Sequence, residues 1–443
     1  MKLKKIVVSM FAAGIMASSL AHATNGYFSH GYGMKAKGMG GAATAMAIDT
    51  FAGANNPASM VWVGDRLDIG VDLFNPQREA SRQGSTGFGG AYDGTSVSGS
   101  NYFLVPEFGY NKLFKPNLSF GVTVYGNGGM NSDYGAGVKG GAAAPAFAPS
   151  CAGAPSNLLF GCGKLGVDLM QLIVAPTASY KLNESHSIGI SPLFGYQRFK
   201  VDGLQTFEGF TSSPGNVTNN GYDSSTGWGV RVGWFGKISD TVTLGAAYAT
   251  KMKMGKFSKY SGLFAEQGSF DIPENYNVGI AVKATPALNL AFDIQQINYA
   301  DVKSIANGVA NTLLAPATSP LGSTNGSGFN WSNQTVYKLG MEYDYSSNLV
   351  LRAGYNYGKS PIRGDTINDV TFNILAPGVV EHHLTLGSTW MLADKSELTM
   401  SYMHAFSKSV TGPSVTSLLG VGGTETLTMK QNSLGIAYSI KLE

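Results

Sequence analysis

The sequence predicts an all-β fold: a transmembrane antiparallel β-barrel of about 14 strands whose lumen is plugged by an N-terminal hatch. Three observations support this prediction. First, the chain carries an export signal but few charged residues. Second, most of the chain after residue 66 alternates between apolar and polar residues. Third, residues 25–60 show no such alternation. We therefore expect a signal peptide at 1–23, a hatch at 24–63 and the barrel at 64–443.

The first 23 residues match a secretory signal. Lys2, Lys4 and Lys5 form a basic region, residues 6–20 an apolar core too short to span a bilayer, and residues 21–23 a small-x-small cleavage site. The mature chain would begin at Thr24. Export allows a periplasmic, outer-membrane or extracellular destination, and composition helps to choose among these.

The composition favours a barrel in the outer membrane. Charged residues make up 13% of the chain, against about 25% in soluble domains, while Gly, Tyr and Phe number 59, 21 and 23. The mature chain has no apolar run long enough for a membrane-spanning helix. Its net charge of +3 is spread without a basic block, so nucleic acid is not expected as a partner. A two-sheet soluble sandwich is disfavoured because many of the strands exceed the usual five or six residues.

The alternation has a period of two, which is typical of a wall with one apolar and one polar face. Leu290, Phe292 and Ile294, for example, alternate with Asp293 and Gln295. A charge facing lipid would cost roughly 2–4 kcal/mol, so the polar faces must line a wet interior. Short connections alternate with long ones, as periplasmic turns and outer loops do in such barrels. The predicted strands are 67–74, 102–113, 118–127, 167–182, 186–201, 226–238, 241–254, 271–284, 288–299, 335–345, 349–358, 381–392, 397–407 and 427–442.

Large aromatic residues lie near the strand ends. Tyr and Trp favour the membrane interface, so they are expected to form the two aromatic girdles. The candidates are Tyr110, Tyr180, Tyr196, Trp228, Trp234, Tyr299, Tyr355 and Trp390.

The hatch sequence combines glycines, a possible short helix and a turn. Gly40 and Gly41 permit an irregular path, residues 42–48 are rich in helix-forming Ala and Met, and Asn55, Asn56, Pro57 and Ala58 punctuate the segment as a turn. We expect these glycines and the turn to act in gating. An ordinary glycine-rich arm is the alternative. Apolar residues proposed to bind substrate are Met39, Met46, Phe51, Met60 and Trp62, with Met34 as a further lumen residue; the alternative is that they anchor the plug.

Other side chains suggest further sites. Cys151 and Cys162 fall in a predicted outer loop and should pair as a local disulfide. A substrate carboxylate would need a basic partner, for which strand parity suggests Arg198, Arg231, Lys338 and Arg352; pairing with Asp293, Glu342 or Asp344 is the alternative. No metal site is expected, because His382 and His383, adjacent on a strand, would point to opposite faces.

Several stretches in order along the chain resemble the FadL/TodX family of outer-membrane transporters of long-chain fatty acids and hydrocarbons. They are the glycine-rich segment ending in Asn56-Pro57-Ala58, and residues 116–121, 273–280 and 351–355 with Ser360-Pro361. The resemblance implies a barrel of fourteen strands closed by a hatch, an outer apolar groove, and a third strand interrupted to open the wall towards the bilayer. In this chain the matching interruption is Gly126, Asn127, Gly128 and Gly129. The chain ends in Lys441-Leu442-Glu443 where outer-membrane strands usually end on an aromatic residue, so it departs from the usual signal for the assembly machinery.

The hatch, the barrel and the resemblance together predict transport of a hydrophobic small molecule without chemistry or cofactor. The substrate would bind a groove, pass the hatch and leave through the barrel wall. Expected partners are outer-membrane lipids and the barrel assembly machinery, with the protein a monomer. A passive porin for polar solutes and a surface adhesin or receptor barrel are the alternatives; an enzyme is disfavoured because no nucleophile motif is recognisable.

Overall fold

The computed structural model describes residues 24–85, 93–136 and 155–442, and in these residues fourteen long strands form one closed antiparallel barrel. Each strand pairs with its sequence neighbour, and the last pairs with the first from Arg66↔Lys441 to Gln83↔Thr424. The predicted fold class and all fourteen predicted strands are confirmed. The strands are β1 Arg66–Gln83, β2 Phe103–Lys115, β3 Leu118–Tyr134, β4 Leu165–Lys181, β5 His186–Asp202, β6 Asp223–Lys237, β7 Val242–Ala249, β8 Asn275–Thr285, β9 Leu288–Ile297, β10 Gln334–Ser346, β11 Leu349–Gly358, β12 His382–Met391, β13 Glu397–Pro413 and β14 Thr424–Lys441.

The wall is extended at its loop end. β1, β3, β13 and β14 run several residues beyond their predicted ends, because strands that rise out of the membrane no longer need an apolar face. Two short strands, Gly94–Val97 and Lys253–Met254, add to β1 and β6. Short turns close the opposite end, which we take as the periplasmic end from this asymmetry.

Helices are short and lie outside the wall strands. In the described ranges they are Met34–Lys37, Ala52–Asn55, Ala265–Gly268, Lys303–Ala306 and Asn311–Leu314, with 3₁₀ turns at Pro57–Trp62, Gln205–Phe210, Ser258–Tyr260, Tyr299–Asp301, Thr371–Ile374 and Val415–Leu419. None of the helices in these ranges is long and apolar enough to cross a membrane. The helix expected at residues 42–48 is wrong: those residues form turns and extended chain, and helices flank them instead.

The two faces of the wall separate apolar from polar side chains. In β9, Leu290 and Phe292 are each 38% exposed on the outside, while Asp293 on the inside is 2% exposed. The predicted girdle residues face outward, with one exception. Tyr299 is buried in a loop, where its ring packs against Tyr27 and Trp331, because the strand ends at Ile297.

Candidate functional site

The lumen is filled by the N-terminal segment, residues 24–63, whose side chains are nearly all buried. The segment contacts the inner face of the wall where the wall carries glycine. A Cβ on Gly354 would lie 2.1 Å from the Met39 carbonyl carbon, and one on Gly189 would lie 2.3 Å from that of Pro57. Glycine at these inward positions lets two backbones approach more closely than any side chain would allow.

The Asn-Pro-Ala turn is fastened to the wall through Asn56. Its amide Nδ2 donates to the carbonyl oxygens of Thr44 at 2.8 Å and Trp234 at 2.9 Å, while its Oδ1 accepts from the Ala58 backbone N–H. Pro57 then begins the 3₁₀ turn, where a missing N–H costs nothing. The Ala58 carbonyl accepts from the hydroxyls of Ser179 and Ser187. Asn55 differs in role, since its side chain bonds within the segment to the Tyr32 carbonyl.

Gly40 and Gly41 both have positive φ, at 65° and 85°. The Gly40 N–H donates to the Thr385 hydroxyl at 2.7 Å, and its carbonyl accepts from the Asn356 amide at 3.0 Å. A Cβ on Gly41 would lie 1.8 Å from the His30 carbonyl oxygen. These two residues thus make a tight bend that only glycine can make here.

Buried ion pairs join the segment to the wall on the β1 side. Lys37 Nζ lies 2.8 Å from Asp72 and 3.7 Å from Glu107. Lys35 Nζ lies 2.7 Å from Glu397, which also binds Arg66. Removing one partner of a buried pair leaves a charge without compensation, so these contacts hold the segment in one position.

Burial shifts the titration of several groups in the segment. Burial, together with the nearby negative charge of Asp68, raises the pKa of Asp49 to about 6. Burial alone would lower the pKa of Lys37, but the carboxylates of Asp72 and Glu107 more than offset it, and the pKa is raised. Burial and the neighbouring Lys37 hold the pKa of His30 well below its usual range. His30 is therefore neutral and Lys37 charged at neutral pH.

The four predicted basic residues do not form one site. Arg231 donates to the Gly53 and Ala54 carbonyls and to the Tyr125 hydroxyl, and Arg352 pairs with Glu342 and bonds Thr389, so both have structural contacts. Lys338 faces inward opposite Asp293.

The inward orientation predicted for Arg198 is wrong. It shares the outward parity of Phe194 and Tyr196, and its guanidinium lies 4.1 Å from the centre of the Tyr222 ring. A charge can face outward there because the apolar band ends at Tyr196.

The predicted apolar residues pack in different surroundings. Met39, Phe51 and Met60 are fully buried between the segment and the wall, and Met34 packs on Gly435. Trp62 lies at the periplasmic end, donates to the Ser187 hydroxyl and has the ammonium groups of Lys181 and Lys237 over its ring. Met46 is half-buried and lines a polar periplasmic cavity of about 650 Å³. Among the described residues that line the two cavities at the loop end of the lumen, none is Met39, Met46, Phe51, Met60 or Trp62.

Two cavities lie at the loop end of the lumen. The outer cavity, of about 30 Å³, is lined by loops and upper strands: Val167, Phe199, Leu204, Phe207, Leu263, Phe264, Ser304, Leu321, Ser327, Gly328, Phe329, Phe372 and Leu375. The inner cavity, of about 10 Å³, is lined by Tyr27, Phe74, Pro76, Arg78, Gly129, Met130, Asn131, Trp331, Ala376, Pro377, Gly378 and Met429. The Phe329 and Trp331 rings, with centres 6.3 Å apart, connect the two linings.

Arg78 is the one charged side chain among the described residues lining these two cavities. The predicted strand 67–74 ends before Arg78, so Arg78 is absent from the residues named from the sequence. Its two terminal nitrogens donate to the carbonyls of Asn131 and Ser100, its Nε has no partner in the described chain, and it lies over the Phe103 ring. The sequence did contain one signal for Arg78: it has the same strand parity as Phe74, whose side chain faces inward.

The wall has a seam between β2 and β3. Their pairing ends at Phe108↔Val124, although β3 continues beside β4 to Tyr134 with a bulge between Gly126 and Gly128. Beyond that point the N-terminal segment replaces β2: Ser29 N–H donates to the Asn127 carbonyl at 3.2 Å, and Gly129 N–H donates to the Tyr27 carbonyl at 3.1 Å. The glycines predicted to interrupt the third strand therefore lie at a bulge in β3. The strand that diverges from the wall beside them is β2.

Cys151 lies outside the described residues, while Cys162 is disulfide-bonded. The pairing of the two cysteines thus stays a prediction. Residues 1–23, the predicted signal peptide, also lie outside the described ranges.

A membrane-type barrel whose lumen holds its own N-terminal segment, with apolar cavities above it, defines a plugged channel. A sequence model of the outer membrane protein transport protein family (OMPP1/FadL/TodX) matches residues 162–442. The chain belongs to this family of outer-membrane transport proteins, as the resemblance indicated. A search of curated sequences gave no significant match.

Solved structures support the fold. The Pseudomonas putida toluene transporter TodX is 17% identical with a TM-score of 0.68, covering 94% of this chain and 99% of TodX. A Pseudomonas aeruginosa FadL homologue is 15% identical with a TM-score of 0.69, covering 94% and 100%. The Ralstonia pickettii toluene transporter TbuX is 17% identical with a TM-score of 0.60, covering 94% and 99%.

Proposed function

We propose that this protein takes up hydrophobic compounds across the outer membrane, by binding them in the outer cavity and releasing them sideways through the seam between β2 and β3. The N-terminal segment acts as the hatch. The observation that carries the proposal is the order of apolar cavities: the outer cavity adjoins the inner one, and the inner one includes Gly129 of the seam.

The lining of the outer cavity favours an apolar ligand. Its walls are aromatic and aliphatic with two serines, and no charged residue of the described chain contributes to it. Burying a carboxylate there without a cation would be costly. The relatives described as toluene transporters agree with an apolar substrate. A ligand has to displace some of these side chains, because the cavity holds only about 30 Å³.

A polar end of the substrate would meet Arg78. Its guanidinium lies at the inner cavity, whereas Arg231 and Arg352 are occupied elsewhere and Arg198 faces outward. We propose Arg78, in place of the four residues named from the sequence, as the contact for a carboxylate or hydroxyl. The apolar lining suits neutral hydrocarbons, and the charge of Arg78 suits acids.

Uptake by cells that lack or express the protein tests the proposal, with radiolabelled toluene, oleate and a small sugar as substrates. Uptake of toluene or oleate that depends on the protein is expected, and sugar uptake should be unchanged. Arg78→Met should reduce oleate uptake and spare toluene, while Lys115→Met, at the exposed periplasmic end of β2, serves as control. Uptake of sugar alone would support the porin instead.

A further inference from the structure

The outer face of the barrel carries a polar pocket whose lining shares only Asn131 with the inner cavity and only Val167 with the outer cavity. It has a volume of about 220 Å³ and is lined by Ser100, Asn131, Ser132, Asp133, Lys164, Gly166, Val167, Asp168, Lys200, Asp202 and Tyr222. We call it the side pocket. From its position and chemistry we infer that it binds the phosphorylated sugar headgroup of a lipopolysaccharide in the outer leaflet.

The strand register places the pocket on the outside of the wall. Asn131 pairs with Asp168, and Asp168 pairs with Lys200, so the three form one row across β3, β4 and β5. Paired residues point to the same face of a sheet. Lys200 has the parity of Tyr196 and Phe194, which are exposed on the outside of β5.

The row lies at the upper edge of the lipid-facing surface. Along β5 the outward side chains change from aromatic, at Phe194 and Tyr196, to basic, at Arg198 and Lys200. Along β4 they change from apolar, at Leu172 and Met170, to acidic, at Asp168. Charged residues can begin only where the hydrocarbon ends. The side pocket therefore continues the lipid contact surface at the level of the headgroups.

Two buried oxygens in the pocket have no hydrogen-bond partner among the described residues. Asp168 is 5% and Asn131 is 8% exposed, and the Oδ1 atom of each makes no hydrogen bond to the described chain. The other carboxylate oxygen of Asp168 accepts from the Tyr222 hydroxyl at 2.6 Å, which fixes its orientation. A buried acceptor without a donor is costly, so a ligand with hydroxyl or amide donors is favoured.

Cations and carboxylates together surround these acceptors. Lys164 pairs with Asp133 at 3.0 Å and Lys200 with Asp202 at 3.6 Å, and both ammonium groups are partly exposed. Arg198 and Lys200 lie over the Tyr222 ring at 4.1 and 5.3 Å. A phosphate would find basic side chains here, and its sugar would find the two acceptors. A metal ion alone fits less well, because the described chain has no cluster of three His, Cys, Asp or Glu residues placed to hold one.

Binding to purified, delipidated protein in detergent tests the inference. The probes are bisphosphorylated lipid A, the same lipid A without phosphates, phosphatidylglycerol, and free glucosamine 1-phosphate. Bisphosphorylated lipid A should bind most tightly. Lys200→Gln and Asp168→Asn should each weaken it roughly tenfold, the loss of one charge-assisted hydrogen bond. Lys115→Gln, exposed at the periplasmic end, should not change it.

A fold defect is separated from lost binding by heat-modified migration on gels and by toluene uptake, which both variants should retain. Equal binding by the variants and the native protein would overturn the inference. So would phosphatidylglycerol bound as tightly as lipid A, which would indicate a general lipid contact. Free glucosamine 1-phosphate bound as tightly as the lipid would indicate a soluble ligand and would also overturn it.

Discussion

The backbone N–H of Ser29 donates to the carbonyl oxygen of Asn127 at 3.2 Å, although the two residues belong to the lumen segment and the barrel wall. Together with the bond from Gly129 to Tyr27, this contact gives β3 a partner where β2 has left it. An unpaired strand edge facing lipid would be untenable. The same N-terminal segment thus fills the lumen and covers the seam.

Gly128→Ala should separate the segment from β3. The added Cβ would lie 1.9 Å from the Tyr27 carbonyl oxygen, closer than any real contact. We expect a folded barrel with a higher rate of channel opening in planar bilayers and altered uptake of toluene. Gly135→Ala is the matched control, since a Cβ there meets nothing within 4 Å. Identical behaviour of the two variants would mean that the seam is not covered by this contact.

Lys37→Met should loosen the segment. The buried carboxylates of Asp72 and Glu107 would lose the lysine's charge, at a cost of about 3–5 kcal/mol. We expect a lower temperature of heat modification and more frequent current fluctuations. The pair Lys37→Met with Asp72→Asn should recover part of the loss. No recovery in the pair would argue that lysine packing, rather than its charge, matters.

Asp49→Asn should hold the segment more firmly at neutral pH. The pKa of Asp49 is raised to about 6 in the docked state, against about 3.9 when exposed, so docking favours the protonated form. Its contribution is fully present below about pH 4 and is lost as the pH rises through about 6, a change of about 3 kcal/mol.

Asparagine mimics the protonated acid and keeps the oxygen that accepts from the Phe51 N–H. Opening frequency measured between pH 4 and 8 should therefore rise with pH in the native protein, and the variant should lack the part of that rise centred near pH 6. Asp240→Asn, in an exposed turn, is the control. A native profile in Asp49→Asn would assign the pH dependence to another group.

Replacing Asn56 and Pro57 by Ala should leave the barrel intact and impair hydrophobic uptake. The change removes the Asn56 amide, which donates hydrogen bonds to the Thr44 and Trp234 carbonyls and accepts one from the Ala58 N–H. Each lost hydrogen bond should cost about 1–3 kcal/mol when its partner stays buried. Deletion of residues 25–60 should open a pore for ions, measured as conductance. Normal uptake in the Ala variant with unchanged conductance in the deletion would mean that the segment is neither gate nor plug.

The double variant Cys151→Ser and Cys162→Ser should still reach the outer membrane. The predicted disulfide would restrict the unfolded chain by roughly 3 kcal/mol through loop closure, and the closed barrel should not depend on it. Cell fractionation and heat-modified migration measure the result. Degradation of the variant would show that the bond is needed for assembly.

The strands, their order and the plug were determined by the sequence alone, because a period of two is a local property that a lipid-facing wall imposes on every strand. Leu290 and Asp293 take opposite faces for that reason. The Asn-Pro-Ala turn was likewise visible in the residues, since proline and asparagine restrict the backbone locally.

The tertiary structure decided which side chains meet. Arg78 reaches the inner cavity only because β1 extends beyond the membrane, and Arg231 is occupied only because the Ala54 carbonyl comes within reach of it. The segment could pair with Asn127 because β2 diverges from β3. Such contacts join residues distant in sequence, and the packing of the segment against the wall, rather than any local pattern, fixes them.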